Sequence, residues 1–360
     1  MTKNFEDITS EYINAYKNDM KALHVLDNTL EPKATQNLEV MKEMINNLIS
    51  KDCAYKTSDG VYFDTSKDES YGNISSMASD ENSLSRVEVN SEKRNSSDFA
   101  LWKFAKENDV SFEAEFGLGR PGWHIECSAM IKKHLAYENS EFQIDIHGGG
   151  ADLLFPHHEN EAAQTRCDSK QHLAKYWMHN GFVNINGEKM SKSLGNSFFL
   201  KDILKSYSGE VVRFYLLTAQ YRANFNFNEE DLISSKKRLD KLYRVKKRVY
   251  GGAKSTVNKD FKANILNALN DDINTSKALA VIDELINIAN DKLDANAKDK
   301  AFKKELVANI EFIEEALGVA GSDAYEYFQF GIDEKTISEI TDLLEKRTEA
   351  KKAKNFEAAD

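Results

Sequence analysis

Apolar residues recur at helical spacing from the start of the chain: Phe5, Ile8, Tyr12, Tyr16, Met20 and Leu23 share one face, and Leu38, Met41, Ile45 and Leu48 share another. Two amphipathic helices are predicted, over 5–26 and 34–49. From 53 to 110 the pattern shortens to strand-like segments, such as Val61-Tyr62-Phe63 after the turn signal Asp59-Gly60, around a Ser/Asn-rich stretch from Lys67 to Ser97 that reads as surface loop. Between Phe116 and Asn196, short apolar segments such as Phe142-Gln143-Ile144-Asp145-Ile146 alternate with helical ones, an α/β layout. Beyond Ser197 the period is helical again. Leu232, Leu239, Leu242 and Val249 fall on one face of 229–250, Gly251-Gly252 supplies a stop, and 261–320 and 332–356 read as further helices. The chain ends at Asp360 inside a helical pattern without a stop signal, so a cut C-terminus is expected.

Composition sharpens this picture. At 360 residues, 41% hydrophobic and 30% charged, the chain is long enough for two or three globular domains. Only 3 prolines and 17 glycines occur, which favours long helices and argues against an all-β sandwich. A net charge of -11 excludes a protein that coats nucleic acid through bulk positive charge; any polyanion must be met locally. The local answer is a basic stripe: Lys236, Lys237, Arg238, Lys241, Arg244, Lys246, Lys247, Arg248 and Lys254 stand against the single acidic Asp240. It reads either as a polyanion contact or as a solvated helix face. Three cysteines, Cys53, Cys127 and Cys167, are too few and too scattered for a disulfide framework, so a reducing compartment, the cytoplasm, is expected. Neither an apolar run of about 18 residues nor a signal-peptide core is found, so no membrane association is expected.

Three constellations carry candidate chemistry. In Pro156-His157-His158-Glu159-Asn160-Glu161 the i, i+4 spacing places His157 and Glu161 on one helical face, and with Cys127 they form a competent zinc-ligand set; individually these residues read as core or cap. Gly148-Gly149-Gly150 follows an apolar strand and precedes Asp152. Its glycines allow close backbone approach to a nucleotide and Asp152 could take ribose hydroxyls, although a tight strand-to-helix turn explains the run as well. Gly187-Glu188-Lys189-Met190-Ser191-Lys192-Ser193, entered through a hairpin turn at Asn186-Gly187, presents two lysines three residues apart to a phosphate, or else is a solvated loop.

Taken in order, Gly119-Arg120-Pro121-Gly122-Trp123-His124-Ile125-Glu126-Cys127-Ser128-Ala129-Met130, the glycine and His157-His158-Glu159-Asn160-Glu161 segments, and the Lys189-Met190-Ser191-Lys192-Ser193 loop resemble the second half of the catalytic domain of the cysteinyl-tRNA synthetases, a class I aminoacyl-tRNA synthetase family. The likeness is strongest over 117–197 and continues more faintly through Phe99-Ala100-Leu101-Trp102-Lys103 and Val212-Arg213-Phe214-Tyr215-Leu216-Leu217. It implies an α/β fold: a partial Rossmann-like catalytic domain with an inserted α/β region, then an all-α tRNA-binding region. The implied boundaries are 1–110 for the first catalytic remnant plus insertion, 111–205 for the second catalytic half, 206–255 for a stem-contact region with the basic helix, and 256–360 for a truncated helical domain.

The resemblance further implies a zinc held by Cys127, His157 and Glu161 that selects the thiolate of substrate cysteine. Serine differs by one atom, and a metal that prefers a thiolate to a hydroxyl supplies discrimination that shape cannot. Trp123 and His147 would line the amino-acid pocket, Gly149 and Asp152 would meet the adenosine, and Lys192 with Lys189 would bind ATP and stabilise its phosphates as pyrophosphate leaves, with Mg²⁺ accompanying ATP. Lys236, Lys237, Arg238, Lys241 and Arg244 would contact tRNA(Cys), and a monomer is expected. The family's HIGH-type signature and one further zinc-ligating cysteine are not found, so the chain is expected to be an incomplete copy, inactive by itself. The alternatives are a shortened non-catalytic paralogue that binds zinc and tRNA, and a cysteine ligase acting on an amino sugar.

Overall fold

The computed structural model describes residues 5–76, 92–107, 109–185, 187–189 and 199–358. In chain order its elements are α1 (Phe5–Ala22), α2 (Leu38–Ser50), β1 (Ala54–Lys56), β2 (Gly60–Phe63), β3 (Phe99–Phe104), β4 (Gly119–Pro121), α3 (Trp123–His134), β5 (Phe142–Gly150), α4 (Glu159–Ser169) and β6 (His172–Asn180). There follow β7 (Val183–Ile185), β8 (Glu188–Lys189), α5 (Leu200–Ile203), α6 (Gly209–Leu216), β9 (Phe225–Phe227), α7 (Glu229–Arg248), α8 (Lys259–Asn270), α9 (Thr275–Ala295), α10 (Lys300–Leu317) and α11 (Glu334–Lys352). They gather into two compact units: Asn28–Phe182, and Met1–Asp27 with Val183–Asp360.

In the 28–182 unit, β1 to β4 form an antiparallel meander. Its first turn is set locally, with the Thr57 amide donating to the Gly60 carbonyl at 2.8 Å and the Thr57 hydroxyl to Asp59 at 2.8 Å. The expected apolar face of α2 is buried: Met41, Met44, Ile45 and Leu48 pack with Phe63, Leu101, Trp102 and Ile125. Burying such side chains is worth roughly 1.5–3 kcal/mol each, which ties helix to sheet. Cys53 and Cys167 are buried in this same apolar core. The second layer is a β-α-β crossover in which β5 and β6 pair in parallel, joined by α4. Of the two readings of the glycine run, the turn is excluded. Gly148, Gly149 and Gly150 do not form a strand-to-helix turn; they continue β5, opposite Met178, His179 and Asn180 of β6. A backbone ladder needs no side chain, so the partner strand holds the glycines extended.

The other unit is mainly helical. The hairpin expected at 186–187 joins β7 to β8, with Gly187 at φ +84°, a conformation that favours glycine. The tip of the lysine loop, including Lys192, lies outside the described residues, as does the middle of the Ser/Asn-rich stretch. Helices α7, α8, α9 and α10 pack around Leu239, Ile265, Leu279, Ile282, Leu306 and Ile310. Their starts are capped by Asn228, Asn258, Asn274 and Asp299, each side chain accepting from a backbone amide three residues on. Helix α7 also carries acids in its first turn and Lys246, Lys247 and Arg248 in its last, matching the helix dipole. Helix α11 buries no side chain among the described residues. On α1 the predicted apolar face stays largely open, with Ile8, Tyr12 and Tyr16 exposed. No helix among the described residues is long and apolar enough to cross a membrane.

Candidate functional site

The crossover helix α4 is unusual for a buried helix because its inward residues are polar: Glu159, Asn160, Glu161, Gln164, Thr165 and Asp168 are all buried. Partners fix both ends. Glu159 accepts from the amides of Ile74 and Ser75, each at 3.0 Å, and Asp168 accepts from Asn47 at 2.6 Å and Lys132 at 2.6 Å. Arg166 grips Asp68 through two nitrogens, at 3.0 and 2.6 Å.

Between these anchors, donor atoms of Cys127, His157 and Glu161 all lie within 4.8 Å of one another. Cys127 comes from α3 and Glu161 from α4, and His157 sits in the turn that leads into α4. His157 Nε2 is 2.7 Å from Glu161 Oε1. Both carboxylate oxygens of Glu161 are buried, and neither makes a hydrogen bond of good geometry. Ligand atoms that converge in this way fit a cation, and the set of one thiol, one imidazole and one carboxylate suits zinc. The outer nitrogen of His157, Nδ1, is 2.8 Å from His124 Nδ1, the kind of second contact that fixes a ligating ring. Burial pushes His124 down to about 4, so its ring is neutral near pH 7. Burial, helped by Glu161, pushes the Cys127 thiol up to about 12, so a metal must displace its proton. For Glu161 burial opposes ionisation, but His147 and His157 outweigh it and hold the carboxyl down to about 2.

Trp123, largely exposed, stacks on His157 with centroids 4.3 Å apart, and His147 of β5 lies 2.8 Å from Glu161 Oε2, so both stand against the same cluster. Gly149 lies on β5, where a Cβ would come within 2.8 Å of the His158 ring, and Asp152 is exposed just past the strand. Lys189 belongs to β8. Sequence reasoning left out His124, His158, His179 and Trp177, which complete the imidazole-rich wall; the signal available was that all but one of the 8 histidines fall between Phe116 and Asn196.

The basic helix α7 divides into two groups. Lys236 pairs with Asp240 at 3.0 Å, Arg238 with Asp283 at 2.7 Å and Arg248 with Asp294 at 2.5 Å, and Lys246 donates to the carbonyls of Ala320 and Ser322. Lys237, Lys241 and Arg244, spaced i, i+4, i+7 on one face, are exposed and have no charged partner among the described residues.

Residues 1–237 match the family described as tRNA synthetases class I (C) catalytic domain, and residues 264–321 match the DALR domain. A cysteine–tRNA ligase of Aliarcobacter butzleri is 75% identical over 358 residues, 99% of this chain and 77% of that protein. One from Helicobacter pylori is 54% identical over 360 residues, with the same coverage. Among solved structures, a methionyl-tRNA synthetase of Mycobacterium tuberculosis bound to methionyl-adenylate aligns with a TM-score of 0.58 at 12% identity, covering 88% of this chain and 79% of that one. A structure described as a putative arginyl-tRNA synthetase of Campylobacter jejuni aligns with a TM-score of 0.54 at 14% identity, covering 88% and 68%. These two similarities concern the fold alone.

Proposed function

The chain belongs to the cysteine–tRNA ligases, class I aminoacyl-tRNA synthetases that use ATP, cysteine and tRNA, and from that premise we propose that its imidazole-rich cluster selects cysteine through a metal-bound thiolate. The convergence of the ligand atoms of Cys127, His157 and the buried Glu161 carries this reading. Zinc bound by these three residues supplies a Lewis acid that prefers a thiolate to a hydroxyl, and so cysteine to serine.

The remaining assignments concern binding and positioning. Trp123 and His147 wall the amino-acid pocket beside the ligands. Gly149 and Asp152 meet the adenosine, with Asp152 accepting from ribose hydroxyls. Lys192 and Lys189 place positive charge on the ATP phosphates, with Mg²⁺ accompanying the nucleotide, and so stabilise charge that develops as pyrophosphate leaves. No protein nucleophile is required, since the cysteine carboxylate attacks the α-phosphate and the tRNA ribose hydroxyl attacks the resulting adenylate. Catalysis is then positioning and charge stabilisation. Of the basic stripe Lys236, Lys237, Arg238, Lys241 and Arg244, the exposed Lys237, Lys241 and Arg244 meet tRNA phosphates, while Lys236 and Arg238 are held by Asp240 and Asp283.

Cobalt substitution tests the thiolate reading directly. Cysteine added to the cobalt-loaded chain should intensify the sulfur-to-cobalt charge-transfer absorption, and serine should not. Equal responses to the two amino acids would overturn the reading.

A further inference from the structure

The exposed cations of α7 lead to a cavity. Lys247, one turn beyond Arg244, is exposed too, so that Lys237, Lys241, Arg244 and Lys247 cover about 15 Å of the helix. Where the helix ends, a cavity of about 270 Å³ lies between the turn at 249–252 and α10, with walls from Val249, Tyr250, Val307, Ile310, Glu311 and Glu314. Tyr250, Glu311 and Glu314 are exposed, so the cavity opens to solvent. Gly252 borders it as well, and a Cβ there would meet Val307 Cγ2 at 3.5 Å.

The rim is aromatic and basic. Tyr250 meets the exposed Tyr325 edge to face with centroids 4.9 Å apart, and Lys247 Nζ stands 4.2 Å from the centroid of Tyr325 and 5.9 Å from that of Phe328. Exposed rings interleaved with lysines suit single-stranded nucleic acid, whose bases stack on the rings while the cations take its phosphates. Inside the cavity a phosphate would be repelled, because two glutamates line it. A carboxylate accepts instead from a base amino group, as glutamate does from cytosine N4. Lys254, paired with Glu311 at 3.1 Å, adds a cation at this edge. Pockets for drug-sized ligands begin at about 300 Å³, so this one suits a single ring system.

We propose that this cavity takes one unpaired, amino-bearing base of the tRNA, stacked on Tyr250, while the stripe from Lys237 to Lys247 holds the neighbouring phosphates. The proposal rests on the tRNA-facing reading of α7 and adds to it a contact that reads a base.

Affinity for tRNA(Cys), titrated with the full chain at several salt concentrations, tests the proposal. Tyr250→Ala and Gly252→Leu should each weaken binding about 5- to 150-fold, the range for one stacked base, with the log–log salt slope intact because no phosphate contact is lost. Circular dichroism checks that each variant folds, and Val307→Phe, which fills the cavity from the opposite wall, replaces Gly252→Leu if that variant does not. The wild type should also bind an oligocytidylate more tightly than an oligouridylate of equal length, and Glu314→Ala should erase the difference. Full affinity in Tyr250→Ala, a flattened slope in that variant, or equal binding of the two oligonucleotides by the wild type overturns the base pocket. An unchanged slope when Lys237, Lys241 and Arg244 become alanine, while Tyr250→Ala still weakens binding, overturns the phosphate reading of α7 and leaves the pocket standing. No binding of tRNA(Cys) by the wild type overturns both.

Discussion

Arg238 on α7 and Asp283 on α9 meet through two prongs, Nε to Oδ1 at 2.9 Å and Nη2 to Oδ2 at 2.7 Å. This pairing turns a residue of the basic stripe inward, toward a neighbouring helix, and separates structural cations from those available to a polyanion.

Replacing Lys237, Lys241 and Arg244 together with alanine should therefore weaken tRNA binding and flatten its salt dependence, the log–log slope falling by roughly 1 for each lost phosphate contact. Arg238→Ala should lower the unfolding midpoint while leaving the slope nearly intact. Affinity titrations at several salt concentrations check both; an equal slope change in the two variants would merge the groups.

Cys127→Ser replaces a thiolate with a hydroxyl that hardly ionises. Loss of a partner behind a ligand costs about 10–100-fold in metal affinity, so losing the ligand itself should cost more, and His124→Ala should fall within that range. In Cys127→Ser, cysteine affinity should drop far more than ATP affinity, as calorimetric titration would show.

The buried Glu210 carboxylate on α6 accepts from the Tyr243 hydroxyl at 2.8 and 2.7 Å and from Ser322 at 2.9 Å. Tyr243→Phe should cost about 1.5–3 kcal/mol in urea unfolding, the range for a hydrogen bond to a charged group. Ser322→Ala should cost less, because Tyr243 still reaches both oxygens.

A pH effect is expected at Asp64 in the 28–182 unit. Burial raises its pKa, but Ser66 and the Arg94 guanidinium, 3.1 Å away, outweigh this and hold it below the ordinary 3.8. A depressed carboxyl stabilises the fold in full above its unfolded pKa and loses that contribution as pH falls through the folded value. The stability gap between wild type and Asp64→Asn should thus be constant near pH 7 and shrink below about pH 4. A gap that widens on acidification would reverse the assignment.

What could be read from the sequence was local. His157 and Glu161 were paired by their i, i+4 spacing, the apolar stripe of α2 by its period, and the turn at Gly187 by its dipeptide. Long-range partners were not legible. Nothing near Arg238 or Arg248 in the chain announces Asp283 or Asp294, which neutralise them from α9. The extended course of the glycine run is illegible for the same reason, since its partner β6 begins more than twenty residues later. Cys127 lies thirty residues from His157, so ligand chemistry can group them as candidates but no spacing rule joins them.

The polar interior of α4 has a consequence for mutational tolerance. A helix buried through leucines accepts isoleucine or methionine at modest cost, because volume is what must be conserved. Along α4 the conserved quantity is valence: Glu159, Arg166 and Asp168 each satisfy specific donors or acceptors, and an apolar residue of equal size would strand them. In a saturation library this helix should therefore reject substitutions that its size and burial alone would permit, and so form a rigid seam through a more forgiving apolar unit.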